Sequence, residues 1–131
     1  FIKPGGVVPQ LLEEHKMSYV AFSPLAQGLM LDKFDPENPP KFDEGDHRRA
    51  KDKYQPAALR ELRPKLGILK ARFGNTIADL SAIAQRYVLN HPNVACVIPG
   101  FRNETQVSCN LAAIERELSP EDIAFIDQTL G

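Results

Sequence analysis

The sequence predicts an α/β protein built on parallel strands and mainly helical by residue count, and three observations carry that reading. Met17–Phe22 and Val94–Ile98 are short, continuous apolar runs rich in branched and aromatic residues. Runs of this kind suit strands of a parallel sheet buried on both faces. Segments with apolar residues at helical spacing lie between and after them. Each run also stops at a proline turn, Ser23-Pro24 or Pro99-Gly100, where α/β proteins place their ligand loops. The resulting order of helix, strand, loop, helices, strand, helix, helix implies βαβ connections with right-handed crossovers. Two strands alone leave both outer edges unpaired, so something further is expected to complete the sheet.

Taken in order, Pro4-Gly5-Gly6 breaks whatever precedes it, and Val7–His15 reads as a short helix. After the first strand, Leu25–Leu31 has the pattern of a helical turn around Gly28. Asp32–Tyr54 is polar and carries Pro36, Pro39, Pro40 and Gly45. A loop of that length in a compact chain is usually functional or disordered. Leu59, Leu62, Leu66, Leu69 and Phe73 recur at helical spacing, interrupted by Pro64 and Gly67. Either one helix kinks there, or Pro64 opens a second helix at its first position. Gly74 ends the segment.

Thr76 then caps a helix, with Asp79 three residues on and Ile77, Leu80, Ile83, Ala84, Tyr87 and Val88 forming its apolar stripe. His91-Pro92 ends it, because the residue before proline is pushed out of the helical region. Asn103 caps a helix running to about Ile114, with Gln106 placed to complete a capping box. Ser119-Pro120 starts the last helix, where Glu121 and Asp122 complement the dipole.

The 131 residues suffice for one domain, taken as 1–131. With 43% hydrophobic and 25% charged residues, the balance is that of a soluble globular protein. The net charge of −1 gives no basic surplus that would point to nucleic acid or an anionic membrane. No apolar run approaches the roughly 20 residues that span a bilayer, and no leader pattern opens the chain. The start at Phe1, without methionine, suggests a trimmed or partial gene product. Cys96 and Cys109 make no disulfide framework and have no metal-ligand spacing around them. They read as buried free thiols, which favours a reducing cytoplasm.

Two segments carry candidate chemistry. After the first strand, Ser23 offers a hydroxyl, Gly28 allows close backbone approach, and Lys33 supplies a cation for a phosphate. The alternative is an ordinary strand-to-helix turn. After the second strand, Gly100 removes bulk where the following helix points free N–H groups outward. Arg102 stands beside that helix start, where a guanidinium grips phosphate bidentately. Gln106 and Asn110 are four apart and share a face, so their amides suit the edge of a base. The alternative makes them a surface charge, a cap and a solvated polar residue.

The segments Ala21-Phe22-Ser23-Pro24-Leu25-Ala26-Gln27-Gly28-Leu29 and Val97-Ile98-Pro99-Gly100-Phe101-Arg102 resemble those of bacterial aldo-keto reductases. Phe42–Arg49 is similar to the loop after that family's seventh strand, and Asn110–Ala113 and Leu118–Asp122 to its final helices. The likeness runs from about Pro9 to Leu130 in family order. It implies a partial (β/α)8 TIM barrel, the C-terminal part with about two parallel strands plus several helices. It also implies NADP(H) extended across the mouth of the barrel. Carried over by position, Ser23, Leu25, Gly28 and Lys33 hold the pyrophosphate side, Gly100 and Arg102 the 2′-phosphate, and Gln106 and Asn110 the adenine. Arg48 or Arg49 is a further candidate for the phosphates.

The same resemblance implies a catalytic Asp, Tyr, Lys and His from the first half of the barrel. Neither those residues nor the aromatic ring that stacks on nicotinamide has a match in this chain. Tyr19, Tyr54 and Tyr87 each lack a Lys and a His at family spacing. His15, His47 and His91 occupy a helix end, a loop and a pre-proline position. No catalytic or metal-ligating residue is therefore assigned. Three readings stay open. The chain is a truncated reductase with a residual NADP(H) site, inactive alone; or a self-assembling module pairing its strand edges as a homodimer; or one chain of a reductase completed by a separate N-terminal half.

Overall fold

The computed structural model describes residues 6–131, so the Pro4-Gly5 part of the expected opening break lies outside the described residues. Helix α1, Val7–Glu14, buries Pro9 and Leu12 and leaves Val7, Val8 and Leu11 exposed. It leads to strand β1, Tyr19–Phe22, which pairs in parallel with β2, Val94–Ile98. Among the described residues these are the only strands, and both outer edges are unpaired.

One expectation is corrected here. The strands are not covered on both faces. Ala21 is buried and its register partner Val97 half-buried, but Val20, Phe22, Cys96 and Ile98 are exposed, with Phe22 at 72%. Val20 pairs with Cys96 and Phe22 with Ile98, so the bare residues form one continuous face. An apolar run states that a strand wants cover on both sides; it does not state which segment supplies it. Cys96 is consequently an exposed thiol rather than a buried one, while Cys109 is half-buried, and both are free.

The remaining elements build a helical layer. Helix α2, Pro56–Phe73, runs unbroken through Pro64. Pro64 sits on the exposed side, where a carbonyl left without its helical partner can be solvated, while Leu59, Leu66, Leu69 and Phe73 stay buried along the other. Gly74, with φ of 114°, ends it; a Cβ there would stand 2.4 Å from the Asp79 carboxyl. That carboxyl is busy closing a capping box for α3, Ile77–Leu89: Asp79 N–H donates to Thr76 Oγ1 at 3.0 Å and Thr76 N–H to Asp79 Oδ2 at 3.1 Å.

Helix α4, Glu104–Glu115, is capped as expected, with Gln106 N–H donating to Asn103 Oδ1 at 3.0 Å. The reciprocal bond differs from the expected box. Gln106 Oε1 accepts from Arg102 N–H, one residue before the cap, at 2.7 Å. Helix α5, Pro120–Leu130, has the regular box between Ser119 and Asp122, and Arg72 of α2 donates to the same carboxylate at 2.7 and 2.9 Å.

Leu66, Leu69 and Phe73 of α2 meet Leu80 and Ile83 of α3 and Leu118 and Ile126 around α5 in the main core. Ile77 leaves that stripe and is exposed, since α3 begins beyond the edge of the core. A second cluster of Leu29, Tyr54 and Leu59 takes in Phe34 and Phe42 from the long loop, so α2 contributes to both. Helix α3 packs against α2, α4 and β2. It thereby fixes where the two strands point their C-terminal ends.

Candidate functional site

Both strand exits open into one groove of about 490 Å³. Eight residues proposed from the sequence line it: Ser23, Leu25, Gly28 and Lys33 on the β1 side, and Gly100, Arg102, Gln106 and Asn110 on the β2 side.

The β1 side is irregular. Ser23, Ala26 and Gln27 have φ of 56°, 47° and 60°, and Gly28 has 96°. Left-handed backbone at residues with a Cβ costs on the order of 1–2 kcal/mol each, and such strain gathers at functional turns. The φ of Gly28 is the firmer constraint; a Cβ there would also lie 2.8 Å from Lys33 Cε and oblige the lysine end to shift. The Lys33 ammonium is lowered in pKa by partial burial and then by the Arg48 and Arg102 charges.

Arg48 comes from the long loop. Its guanidinium donates to Asp46 Oδ1 at 3.0 Å and to Oδ2 at 3.1 Å through Nε, and stands 4.4 Å from the Phe42 ring centroid. Those hydrogen bonds hold the Asp46 carboxyl far below the usual carboxylate range. Gln27 pins the loop: its side chain meets His47 Nε2 at 2.9 Å and accepts from Lys51 Nζ and Tyr54 OH at 3.3 Å. Tyr54 is buried, and burial raises its pKa.

The β2 side is regular. Asn110 Nδ2 donates to the Gly100 carbonyl at 3.1 Å and its Oδ1 accepts from Gln85 Nε2 at 3.1 Å. The Asn110 amide is therefore engaged with the protein as well as facing the groove. Lys33 and Arg102 have no acidic partner within 4.0 Å among the described residues, whereas Arg48 is held by Asp46. Three cations converging on one groove, with Asp46 as their one acidic neighbour there, suit an anionic group.

Sequence reasoning left Arg48 and Arg49 undecided; Arg48 lines the groove and Arg49 does not. It missed Gln27, His47 and Gln85. Gln27 and His47 lie 20 positions apart and carried no local signal. Gln85 carried one, an amide inside an apolar helix face. Of the other histidines, His91 Nδ1 accepts from Asn93 N–H at 3.3 Å and His15 ends α1. Tyr87 OH donates to Asp127. No group of His, Cys, Asp and Glu suited to a metal occurs among the described residues.

Two parallel strands whose exits share a cationic groove, with helices on one face, define a partial (β/α) barrel. The aldo/keto reductase family model matches residues 3–130, and the chain belongs to that family. Curated relatives are uncharacterized oxidoreductases of Mycobacterium bovis and Mycobacterium tuberculosis H37Rv. Each is 33% identical over 102 residues, which is 78% of this chain and 30% of the relative. Among solved structures, the glycerol dehydrogenase of Gluconobacter oxydans superposes with a TM-score of 0.72 at 23% identity, over 91% of this chain and 36% of that one. That likeness supports the barrel fold. The chain thus spans about a third of the length of the proteins it matches.

Proposed function

We propose that the groove is the phosphate and adenine end of an NADP(H) site in an aldo-keto-reductase-type oxidoreductase. The convergence of Lys33, Arg48 and Arg102, two of them without acidic partners, carries this reading. The donor set fits the group, which brings a pyrophosphate and a 2′-phosphate to a groove of cations. Ser23, Leu25, Gly28 and Lys33 would hold the pyrophosphate side, Gly100 and Arg102 the 2′-phosphate, and Gln106 and Asn110 the adenine. When bound, NADPH supplies the hydride of the family's reaction.

Acid–base chemistry is left, on this reading, to residues outside the chain. Burial and Asp127 push Tyr87 up to about 12, and Tyr54 is raised too, which suits neither as a proton donor near neutral pH. A positioned acid contributes about 10²–10⁴-fold, so the chain alone is proposed not to reduce carbonyls. No helix among the described residues is long and apolar enough to cross a membrane, and the free thiols favour a reducing cytoplasm.

The test is fluorescence titration with NADPH and NADH. Contacts to a charged group are worth about 1.5–3 kcal/mol, so binding near millimolar is expected, with Arg102→Ala weakening NADPH at least tenfold more than NADH. Equal loss for both, or no binding by the parent chain, would sink the proposal.

A second reading rests on the bare face of Val20, Phe22, Cys96 and Ile98 and on both unpaired edges. Alone in solution, the chain is proposed to pair these with a second copy as a homodimer. The alternative cover is a separate chain with the rest of the barrel. Light scattering with and without such a chain separates the two: a monomer at all concentrations would count against the dimer.

A further inference from the structure

Apart from the Tyr54 hydroxyl, the buried side chains that carry polar atoms among the described residues are Ser81 and Gln85, both on α3 and both 2% exposed. A buried amide must find partners, and where it finds them is informative. Gln85 Nε2 donates to Ser81 Oγ at 3.1 Å and to Asn110 Oδ1 at 3.1 Å. The directions follow from chemistry. The Gly100 carbonyl can only accept, so the Asn110 atom facing it, 3.1 Å away, is the amide nitrogen. Asn110 therefore turns its oxygen to α3, and Gln85 must answer with its own nitrogen. Orientation passes from the helix interior to the strand exit without ambiguity.

What it controls is the turn after β2. Gly100 opens that turn, and two residues later Arg102 N–H is held by Gln106 Oε1 at 2.7 Å while its side chain lines the groove. We infer that Gln85 is a positioning residue for the groove: it fixes the Asn110 amide, and through Asn110 the Gly100 turn that presents Arg102. The ligand, a 2′-phosphorylated adenine nucleotide, rests on the reading above; the positioning does not.

Two variants of the whole chain test it. Gln85→Leu keeps the volume and removes the donor. Gln85→Glu keeps the shape and, measured at a pH where the carboxyl is ionised, can only accept, so it draws the Asn110 nitrogen away from Gly100. Amide hydrogen exchange at Phe101–Asn103 should quicken about fivefold in Gln85→Leu and at least as much in Gln85→Glu, with α5 unchanged. In an Asn110→Ala background Gln85→Leu should add nothing further, the signature of one shared path. Unchanged exchange in the turn, or an equal rise across α2, α3 and α5, overturns the inference. Preference for adenosine 2′,5′-bisphosphate over adenosine 5′-monophosphate should fall about fivefold in both variants. An undiminished preference rejects the role at the groove. If the parent chain has no preference, the NADP(H) reading fails while hydrogen exchange still judges the positioning.

Discussion

The two sides of the groove are built by opposite means. After β1 the chain turns through left-handed backbone at Ser23, Ala26, Gln27 and Gly28, and borrows Arg48 from a loop some twenty residues away. After β2 it uses a capped helix, and Gly100, Arg102, Gln106 and Asn110 lie within one strand-turn-helix unit. A side made of long-range contacts depends on the packing beneath it; a side made mostly of local hydrogen bonds leans on the rest chiefly through the Gln85 amide. The difference teaches where the site is fragile.

The largest effect should come from removing that packing. Leu69 is 1% exposed in the core shared by α2, α3 and α5. Leu69→Ala should cost about 2–5 kcal/mol in urea unfolding, and loosen the β1 side before α4 frays. Simultaneous loss of both sides would erase the distinction. Next comes Gly28→Ala, which places a Cβ 2.8 Å from Lys33 at a φ of 96°. The strain is on the order of 1–2 kcal/mol, and exchange should quicken around Gly28 while Phe101–Asn103 keeps its protection.

The smallest effect concerns acid. Asp46 has its folded pKa lowered by Arg48, so the stabilisation is present above the ordinary value of 3.8 and is lost only as pH falls through the lowered one. The Arg48 side-chain Nε–H signal, which reads that bond directly, should therefore keep its position as pH falls from about 5 to about 4. In Asp46→Asn the Arg48 signals should shift at neutral pH. A loop that loosens between pH 6 and 5 in the parent chain would show that some other group holds it.

Both strands were legible because each is a continuous apolar run between breakers, although β1 begins at Tyr19 rather than Met17. The caps at Thr76, Asn103 and Ser119 were legible because capping is a three-residue affair. The path through Pro64 was not, since it depends on which side of α2 faces water. Nor was the conformation of the long loop, whose fastenings join Gln27 to His47 and Tyr54. The eight candidate residues meet in one groove because strand exits of a parallel sheet point the same way, a property of topology that the pattern already implied. Gln85 carried a signal, an amide inside an apolar helix face, but its partner Asn110 lies 25 residues away and no local pattern joins the two.

The bare face of the sheet has a consequence for the life of the chain in a cell. Phe22 and Ile98, side by side in register and open to water, are the kind of surface that chaperones hold and proteases follow. Wherever that face stays open, abundance becomes a contest of rates, set by how quickly it finds cover after synthesis. A substitution such as Phe22→Ser could lengthen its lifetime without touching the groove, and survival would then report on an uncovered surface rather than on stability.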